Sequence, residues 1–284
     1  MKKILIVGAN GMLGKDMVDG FSHAGYEVVG VDREELDITK TDLVQSKLTE
    51  IAPDVVINCA AYTDVNGAED AKELAYQINA YGPEYLAGAT RELDIPLVQI
   101  STNYVFDGTK ETPYAEDDQP EQPLNVYGAS KLRGEQLVKD TNPKHYIVRI
   151  SNLFGPHGKN FVQTMVSLAK DRDTLQVVDD QLGNPTYTKD LVQAVRELLE
   201  DEAEYGIYHL TNTTPTEAGI SWYRLAKRAI EYKGLPTKVL PVSSDQFPTK
   251  AERPIQGTLL NSKRPKLRSY QEALQEYVNT YLKV

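Results

Sequence analysis

Three closely spaced glycines separate an apolar run from a helical pattern near the start of the chain. Lys3–Val7 is short, apolar and rich in branched residues, as a buried parallel strand should be, and Met12–Ala24 has helical periodicity. Gly8, Gly11 and Gly14 would let the backbone turn sharply and approach a pyrophosphate, which a helix N-terminus attracts. The first gap is one residue wider than in the usual dinucleotide-binding fingerprint, and a plain tight turn is the alternative. The position between a strand and a helix favours the dinucleotide site.

A second strand, Glu27–Val31, is followed by two residues that bear on the choice of cofactor. Asp32 lies about 20 residues past the glycines, where an acid usually binds the ribose hydroxyls of NAD. Arg33 would instead pair with the 2′-phosphate of NADP, so both cofactors stay open at this point. Asp37 and Ile38 follow in a loop that would flank the adenine, although Asp37 is equally suited to cap the next helix.

Two further predicted strands end in small or polar residues. Asp54–Asn58 is followed by Cys59–Thr63, mostly small residues that leave room for a dinucleotide where open α/β sheets bind ligands. Close packing against a helix is the other interpretation of these residues. Pro96–Ile100 is followed by Ser101–Gly108, which brings hydroxyl groups to the same sheet edge.

Two connecting segments carry their own expectations. Ala68–Leu93 predicts one long helix, kinked at Gly82-Pro83, in which Asn79 either buttresses the sheet edge or faces water. Thr109–Pro123 contains three prolines and a cluster of acids, which predicts an exposed loop.

A phenol and an ammonium lie four residues apart at Tyr127 and Lys131, on one face of a predicted helix. Lys131 would favour ionisation of Tyr127 and bring its pKa from about 10 toward neutrality, which makes Tyr127 a candidate proton donor to a carbonyl. Because the chain has 17 Tyr, about one such spacing is expected by chance. A second copy, Tyr223 and Lys227, lies in the helical run Ser221–Tyr232 and is interpreted as a solvated helix face beside an apolar stripe. The polar strand ends that precede Tyr127 distinguish the first copy from the second.

Charge and cysteine content exclude several classes of protein. The formal charge of −10 would repel nucleic acid and anionic membranes, so neither is an expected partner. The single Cys59 excludes an internal disulfide and fits a reducing cytoplasm. No run of about 18 apolar residues exists, hence no transmembrane helix is predicted. With four His and one Cys, no metal site is expected.

The second half of the chain contains two candidate substrate-binding stretches. Asp179–Thr186 is polar and rich in turn residues, and it either lines a substrate pocket or only forms turns. Arg253 would grip a phosphate bidentately, or it is a solvated surface arginine.

Several motifs together resemble the extended short-chain dehydrogenases/reductases and, within them, the dTDP-4-dehydrorhamnose reductases. The glycine turn and the Tyr-x-x-x-Lys motif are typical of the superfamily. The motifs Ser101–Gly108 and Leu124–Glu135 also resemble the superfamily, and the narrower resemblance is supported by Asn160-Phe161, Asp180–Thr186 and Arg253-Pro254. The resemblance implies an α/β fold, a Rossmann-type doubly wound parallel sheet with a smaller C-terminal α/β substrate-binding domain. The expected division is residues 1–150 for the NAD(P)-binding domain and 151–284 for the substrate-binding lobe, with some segments returning to the first domain.

The resemblance also implies NADPH-dependent reduction of the 4-keto group of a dTDP-sugar, with NADH possible and a homodimer possible. It implies three catalytic residues, namely Thr102, Tyr127 and Lys131. The expected cofactor contacts, which include Tyr127 and Lys131, are otherwise Gly8, Asn10, Gly11, Met12, Leu13, Gly14, Asp32, Arg33, Asp37, Ile38, Cys59, Ala60, Ala61, Tyr62 and Asn79. The expected substrate contacts, besides Thr102, are Asn103, Val105, Asn152, Asn160, Phe161, Pro185, Thr186 and Arg253.

Two positions depart from the family pattern. Asn103 stands where relatives usually have Asp, and Asn152 stands where they often have Trp. Both are expected near the sugar, so they leave the exact sugar nucleotide open. A nucleotide-sugar epimerase or dehydratase is an alternative, although a dehydratase would need an acid beside Thr102 and Asn103 is not one. A non-catalytic NADP-binding regulatory subunit is a second alternative, which the intact Thr-Tyr-Lys set disfavours.

Overall fold

The strands of the first half and one strand of the second half form a six-stranded, all-parallel sheet. The structure, a computed structural model, describes residues 2–283. In chain order the first half contains β1 (Lys3–Val7), α1 (Met12–His23), β2 (Glu27–Val31), α2 (Thr41–Ile51), β3 (Val55–Asn58), α3 (Val65–Ala68), α4 (Lys72–Tyr76), a π-helical segment (Gln77–Tyr81), α5 (Gly82–Glu92), β4 (Leu97–Thr102), α6 (Val126–Thr141) and β5 (His145–Ile150). The four predicted strands are confirmed as β1 to β4, and the bounds of β1 and β2 match the prediction.

The second half forms a smaller group of elements and also contributes to the main sheet. In chain order it contains β6 (Leu153–Phe154), α7 (Phe161–Ala169), β7 (Thr174–Val178), β8 (Leu182–Gly183), β9 (Thr186–Tyr187), α8 (Thr188–Glu200), β10 (Gly206–His209), β11 (Asn212–Thr213), β12 (Ile220–Ser221), α9 (Trp222–Tyr232), β13 (Lys238–Val242), β14 (Leu267–Ser269) and α10 (Tyr270–Tyr281). Strand β10 pairs with β5, which gives the sheet order β10-β5-β4-β3-β1-β2. Helix α8 packs on α1, so part of the second half covers one face of the main sheet.

Both faces of the main sheet are buried, because successive residues of each strand point to opposite sides. In β1, Ile4 and Ile6 belong to the cluster on the α1 and α8 side, whereas Leu5 and Val7 belong to the cluster on the α2 and α5 side. This two-sided burial is the doubly wound arrangement expected from the alternation of strands and helices.

The predicted long helix is interrupted. Ala68 ends the short helix α3, the next helix begins at Lys72, and a π-helical segment, Gln77–Tyr81, precedes Gly82-Pro83. Pro83 has no N–H to donate to the carbonyl of Asn79, so the α-helical ladder cannot continue through this point. Helix α6 approaches there, since a Cβ at Gly134 would lie 2.1 Å from that same carbonyl oxygen.

The loop between β4 and α6 is anchored, so the expectation of a wholly exposed excursion over Thr109–Pro123 is wrong. The ring of Tyr114 is stacked on Phe106 with 4.0 Å between centroids. The carboxylate of Glu116 is buried and accepts a hydrogen bond from Ser262 Oγ at 2.5 Å. The N–H of Tyr114 also donates to the carbonyl of Thr258 at 2.9 Å. Thr258 and Ser262 lie far along the chain, so no local pattern predicts these two contacts.

Between residues 2 and 283, no helix combines the length and the apolarity needed to cross a membrane.

Candidate active site

A cleft runs along the carboxyl edge of the main sheet and contains two adjoining cavities of about 500 and 560 Å³. Gly11, Cys59 and Ala61 line both cavities, which places the two side by side over the end of β3. Their combined size suits a dinucleotide and a second ligand, and parallel sheets bind ligands at this edge.

The glycine turn forms one end of the first cavity. Gly8 has a positive φ of 77°, and its N–H donates to the carbonyl of Val31 at 2.9 Å. A Cβ at Gly14 would lie 2.0 Å from the carbonyl oxygen of Gly8, so helix α1 approaches the turn as closely as glycine allows. Gly11 is the N-cap and makes no side-chain capping bond, which leaves the first N–H groups of α1 for a ligand.

The residues after β2 that line the first cavity include Asp32, Arg33 and Asp37. The Asp32 carboxylate accepts hydrogen bonds from the backbone N–H groups of Asn10, at 2.9 Å, and Arg33, at 2.7 Å. Arg33 itself is exposed. Asp37 accepts from the hydroxyl of Thr39 at 2.7 Å, which lowers the pKa of the Asp37 carboxyl. Asp37 does not cap helix α2, whose N-cap is Lys40.

The segment after β3 also lines the first cavity, and the buried side chain of Asn79 holds this segment in place. Asn79 accepts from the N–H of Tyr62 at 2.8 Å and donates to the carbonyl of Tyr62 at 3.1 Å. Asn79 is buried, so it supports the sheet edge and does not face water. Asn79 does not itself line either cavity, and neither do Asn10 or Gly14.

The three predicted catalytic residues line the second cavity together. Thr102 ends β4, while Tyr127 and Lys131 lie one turn apart on α6, whose N-cap Asn125 accepts from the N–H of Gly128 at 2.8 Å. Lys131 is buried, and its ammonium donates to the carbonyl of Ile100 at 2.6 Å. Burial lowers the pKa of Lys131 to about 8.

The expected effect of Lys131 on Tyr127 is corrected by the structure. Burial raises the pKa of Tyr127 to about 12, and the hydroxyl of Thr102 beside it offsets only part of this rise. Because the ammonium of Lys131 points to a backbone carbonyl, its charge does not bring the phenol toward neutrality. The ring of Tyr104 meets Tyr127 edge to face, with 5.7 Å between centroids. Tyr127 therefore stays protonated, the form in which a phenol donates a proton.

Asn103 and Asn152, the two departures from the family pattern, both line the second cavity. Asn103 donates from Nδ2 to the carbonyl of Gly257 at 3.0 Å. Asn152 has a positive φ of 45°, a conformation in which Asn is more common than most residues.

The structure does not bring six of the predicted substrate contacts into the cavity. They are Val105, Asn160, Phe161, Pro185, Thr186 and Arg253. Val105 is fully buried in a core cluster with Phe106 and Leu132. Asn160 caps helix α7 and donates to the hydroxyl of Tyr277 at 2.9 Å.

The other four residues are also buried elsewhere or contact other residues of the protein. Thr186 donates to the carbonyl of Ser151 at 2.6 Å within the pairing of β9 with β6, and Pro185 is buried beside it. Phe161 packs behind Trp222, with 4.6 Å between ring centroids. Arg253 donates to the carbonyl of Ala251 at 3.3 Å and also interacts with Tyr104. The family motifs at these positions therefore hold the cavity wall together.

Among the residues that line the second cavity and were not predicted as site residues are Tyr104, Lys159 and Trp222. Tyr104 follows the predicted Thr102-Asn103 pair, and Lys159 precedes the motif Asn160-Phe161, so proximity to a motif was the available signal. Trp222 begins α9, and nothing in the apolar stripe of that helix distinguishes it. In the same helix Lys227 is exposed and lies over the Tyr223 ring at 5.9 Å, which confirms that the second Tyr-x-x-x-Lys is a helix face.

Within residues 2–283, no group of three or more His, Cys, Asp or Glu side chains is arranged to hold a metal ion.

Comparisons with known proteins identify the family of this chain. A profile of the family described as RmlD substrate binding domain matches residues 1–283. The spore coat polysaccharide biosynthesis protein SpsK of Bacillus subtilis is 39% identical, over 98% of this chain and 97% of its own. A dTDP-4-dehydrorhamnose reductase of Mycolicibacterium smegmatis is 41% identical, over 98% of this chain and 85% of its own.

Solved structures extend the similarity to the whole fold. The dTDP-4-dehydrorhamnose reductase of Clostridium acetobutylicum aligns with a TM-score of 0.93 at 42% identity and covers 98% of both chains. That of Bacillus anthracis, solved in complex with NADP, aligns with a TM-score of 0.92 at 40% identity and covers 97% of this chain and 98% of its own. The chain therefore belongs to the RmlD substrate binding domain family, the family of the dTDP-4-dehydrorhamnose reductases named here.

Proposed function

We propose that this protein is a dTDP-4-dehydrorhamnose reductase, which reduces the 4-keto group of dTDP-4-dehydro-6-deoxy-L-mannose to give dTDP-L-rhamnose. The observation that carries the proposal is the meeting of Thr102, Tyr127 and Lys131 with the start of helix α1 in one cavity. A carbonyl placed there lies within reach of a phenol, a hydroxyl and an ammonium. The relatives that cover nearly the whole chain support the same reaction.

The first cavity fits a dinucleotide. A Cβ at Gly8 would lie 2.7 Å from the backbone nitrogen of Ala60, and one at Gly14 would lie 2.0 Å from the Gly8 oxygen, so the cradle exists only with glycine at both positions. The N–H groups at the start of α1 would hold the pyrophosphate, and Arg33 would hold the 2′-phosphate of the adenosine ribose. NADPH, when bound, supplies the hydride for the reduction.

Tyr127 donates the proton in this mechanism. As the carbonyl carbon accepts hydride, the oxygen becomes an alkoxide, and the protonated phenol gives it a proton. Thr102 orients the same oxygen by a hydrogen bond from its hydroxyl. Lys131 would hold the nicotinamide ribose, and its ammonium is positioned by the hydrogen bond to the Ile100 carbonyl at 2.6 Å.

We assign NADPH as the preferred cofactor because of the two residues after β2. Both oxygens of Asp32 already accept backbone N–H groups, whereas Arg33 is exposed at the cavity and suits a 2′-phosphate. Arg33→Ser should raise the KM for NADPH roughly tenfold or more, since a hydrogen bond to a charged group is lost. The KM for NADH should not change.

The decisive experiment is turnover of the purified protein with dTDP-4-dehydro-6-deoxy-L-mannose and NADPH. One NADPH should be consumed per dTDP-L-rhamnose formed, as followed by NADPH absorbance and chromatography of the product. An epimerase or dehydratase would change the sugar without net NADPH consumption. A regulatory subunit would bind NADPH and leave the keto-sugar unchanged, so either result would refute the proposal.

A further inference from the structure

The wall of the second cavity contributed by the second half of the chain carries an indole and an ammonium. Trp222, at the start of α9, and Lys159, in the loop before α7, both line this cavity. Neither belongs to the predicted site, and neither has a role in the proton transfer derived above.

Trp222 is held as a fixed aromatic surface. It is partly buried, and its ring packs against Phe161 with 4.6 Å between centroids and 56° between planes. Phe161 is itself fixed at the start of α7, where Asn160 caps the helix. An indole that is packed on one side and lines a cavity on the other suits the stacking of a planar base.

Lys159 supplies a cation to a cavity that has little charge of its own. The second cavity is lined by two basic side chains, Lys131 and Lys159, and by no acid. Lys131 is buried and bonded to the Ile100 carbonyl, so its charge is used inside the site. Lys159 is exposed and makes no ion pair with another residue of the range 2–283. In a chain with a formal charge of −10, such a free cation at a cavity favours an anionic group.

We propose that Trp222 and Lys159 form the subsite for the nucleotide of the substrate, with the pyrimidine base stacked on Trp222 and the diphosphate bound by Lys159. The inference rests on the proposed function, because it takes the substrate to be a nucleoside diphosphate sugar. It goes beyond that function by assigning the residues that recognise the nucleotide, about which the chemistry at Tyr127 says nothing.

The cofactor offers a second diphosphate that Lys159 would also attract. Lys159 follows Gly158, where a Cβ would lie 3.6 Å from the Met12 Cβ at the start of α1. We assign the substrate's diphosphate to Lys159 because Lys159 lines the second cavity and not the first. The N–H groups of α1 already serve the pyrophosphate of the cofactor.

Trp222 is the only tryptophan of the chain, so its fluorescence reports on this subsite directly. dTDP, without a sugar, should quench the fluorescence of the full-length protein saturably, whereas inorganic pyrophosphate should not. Calorimetry should give a Kd for dTDP that is roughly tenfold higher in Trp222→Ala and less affected in Trp222→Phe, since a smaller aromatic ring still stacks.

Lys159→Met should raise the Kd for dTDP and the KM for the keto-sugar several-fold, with kcat and the Kd for NADPH unchanged. Lys227→Met, which removes an exposed lysine from α9, is the matched control and should change none of these values. An unchanged dTDP affinity in Trp222→Phe, Trp222→Ala and Lys159→Met would overturn the inference while leaving reductase turnover intact. So would a Lys159→Met variant in which only NADPH binding weakens. A wild-type protein that binds dTDP at Trp222 but does not reduce the keto-sugar would refute the proposed function instead.

Discussion

Arg149 donates three hydrogen bonds to Glu135, from Nε to Oε1 at 3.0 Å and to Oε2 at 3.2 Å, and from Nη2 to Oε2 at 2.7 Å, and both side chains are buried. Ser101 also donates to Oε1 of Glu135, at 2.5 Å. Glu135 lies one helical turn after Lys131, and its charge raises the pKa of Lys131 against the larger lowering by burial. The buried pair therefore lies next to Lys131 on α6, and its carboxylate favours the charged form of this lysine.

Glu135→Gln should destabilise the protein by about 3–5 kcal/mol, because it leaves the guanidinium of Arg149 buried without a counter-charge. Urea unfolding followed by circular dichroism measures the change. Glu50→Gln removes the carboxylate of an exposed pair with Lys47 at 2.8 Å and should cost less than about 1 kcal/mol. Equal losses in the two variants would contradict the importance of the buried pair.

Tyr127→Phe should lower kcat about 10²- to 10⁴-fold, the usual contribution of a positioned acid, and leave NADPH binding unchanged. The loss of NADPH absorbance with the keto-sugar as substrate measures kcat, and the fluorescence of bound NADPH measures the affinity for NADPH. Tyr223→Phe, in the other Tyr-x-x-x-Lys, is the matched control and should retain full activity. Near-wild-type reduction by the Tyr127 variant would remove this residue from the mechanism.

Much of the fold could be predicted from local patterns, because a buried parallel strand or a helix shows its periodicity within about ten residues. The turn at Gly8 and the strand ends near Cys59 could be predicted in the same way, since the topology brings such strand ends to one edge of the sheet.

The contacts that define the cavity wall could not be predicted from local sequence patterns. The partner of Asn103 is the carbonyl of Gly257, and the partner of Glu116 is Ser262, each more than 140 residues away along the chain. Val105 illustrates the same limit, because its place next to a motif predicted a substrate contact and its side chain is in the core.

Asn103→Asp should destabilise the protein by about 1–3 kcal/mol, although Asp is the residue that relatives usually have there. Asn103 donates to the Gly257 carbonyl at 3.0 Å, and a carboxylate would place an acceptor against an acceptor in a buried position. Thermal and urea unfolding measure the loss. Asn66→Asp is the control, because Asn66 accepts from the N–H of Ala251, at 3.3 Å, and a carboxylate also accepts. If Asn103→Asp had the same free energy of unfolding as the wild type, the presence of Asn instead of Asp at this position would have no structural reason.

Gly14→Ala should weaken NADPH binding roughly tenfold or more and destabilise the fold by about 1–3 kcal/mol, because the new methyl would lie 2.0 Å from the Gly8 oxygen. Gly88→Ala is the matched change in helix α5, where nothing lies within 4 Å of an added Cβ. It should stabilise the protein by about 0.5–1 kcal/mol. Calorimetry with NADPH and thermal unfolding test both, and tight NADPH binding by Gly14→Ala would argue against the glycine turn as the pyrophosphate site.

His209 is fully buried next to Arg149, and it links the buried charges to the anchored loop. Its Nδ1 lies 2.9 Å from the carbonyl of Leu260, which only accepts, so Nδ1 carries the proton of the neutral ring. Burial and then the charge of Arg149 lower the pKa of His209 to about 4, and the carboxylate of Glu116 offsets part of this.

The stability of the protein should therefore fall as the pH drops from about 6.5 to about 4. In that window the unfolded chain protonates His209 and the folded chain does not, so the unfolded state binds more protons and acid favours it. His209→Asn keeps a donor for the Leu260 carbonyl and cannot titrate, so its free energy of unfolding should fall less steeply over this range, with a residual slope from Glu116, whose pKa is also lowered in the fold. Urea unfolding at a series of pH values measures the slope, and His23→Asn, which removes an exposed ring, should keep that of the wild type. An identical slope in His209→Asn and wild type would show that this buried imidazole does not contribute to acid sensitivity.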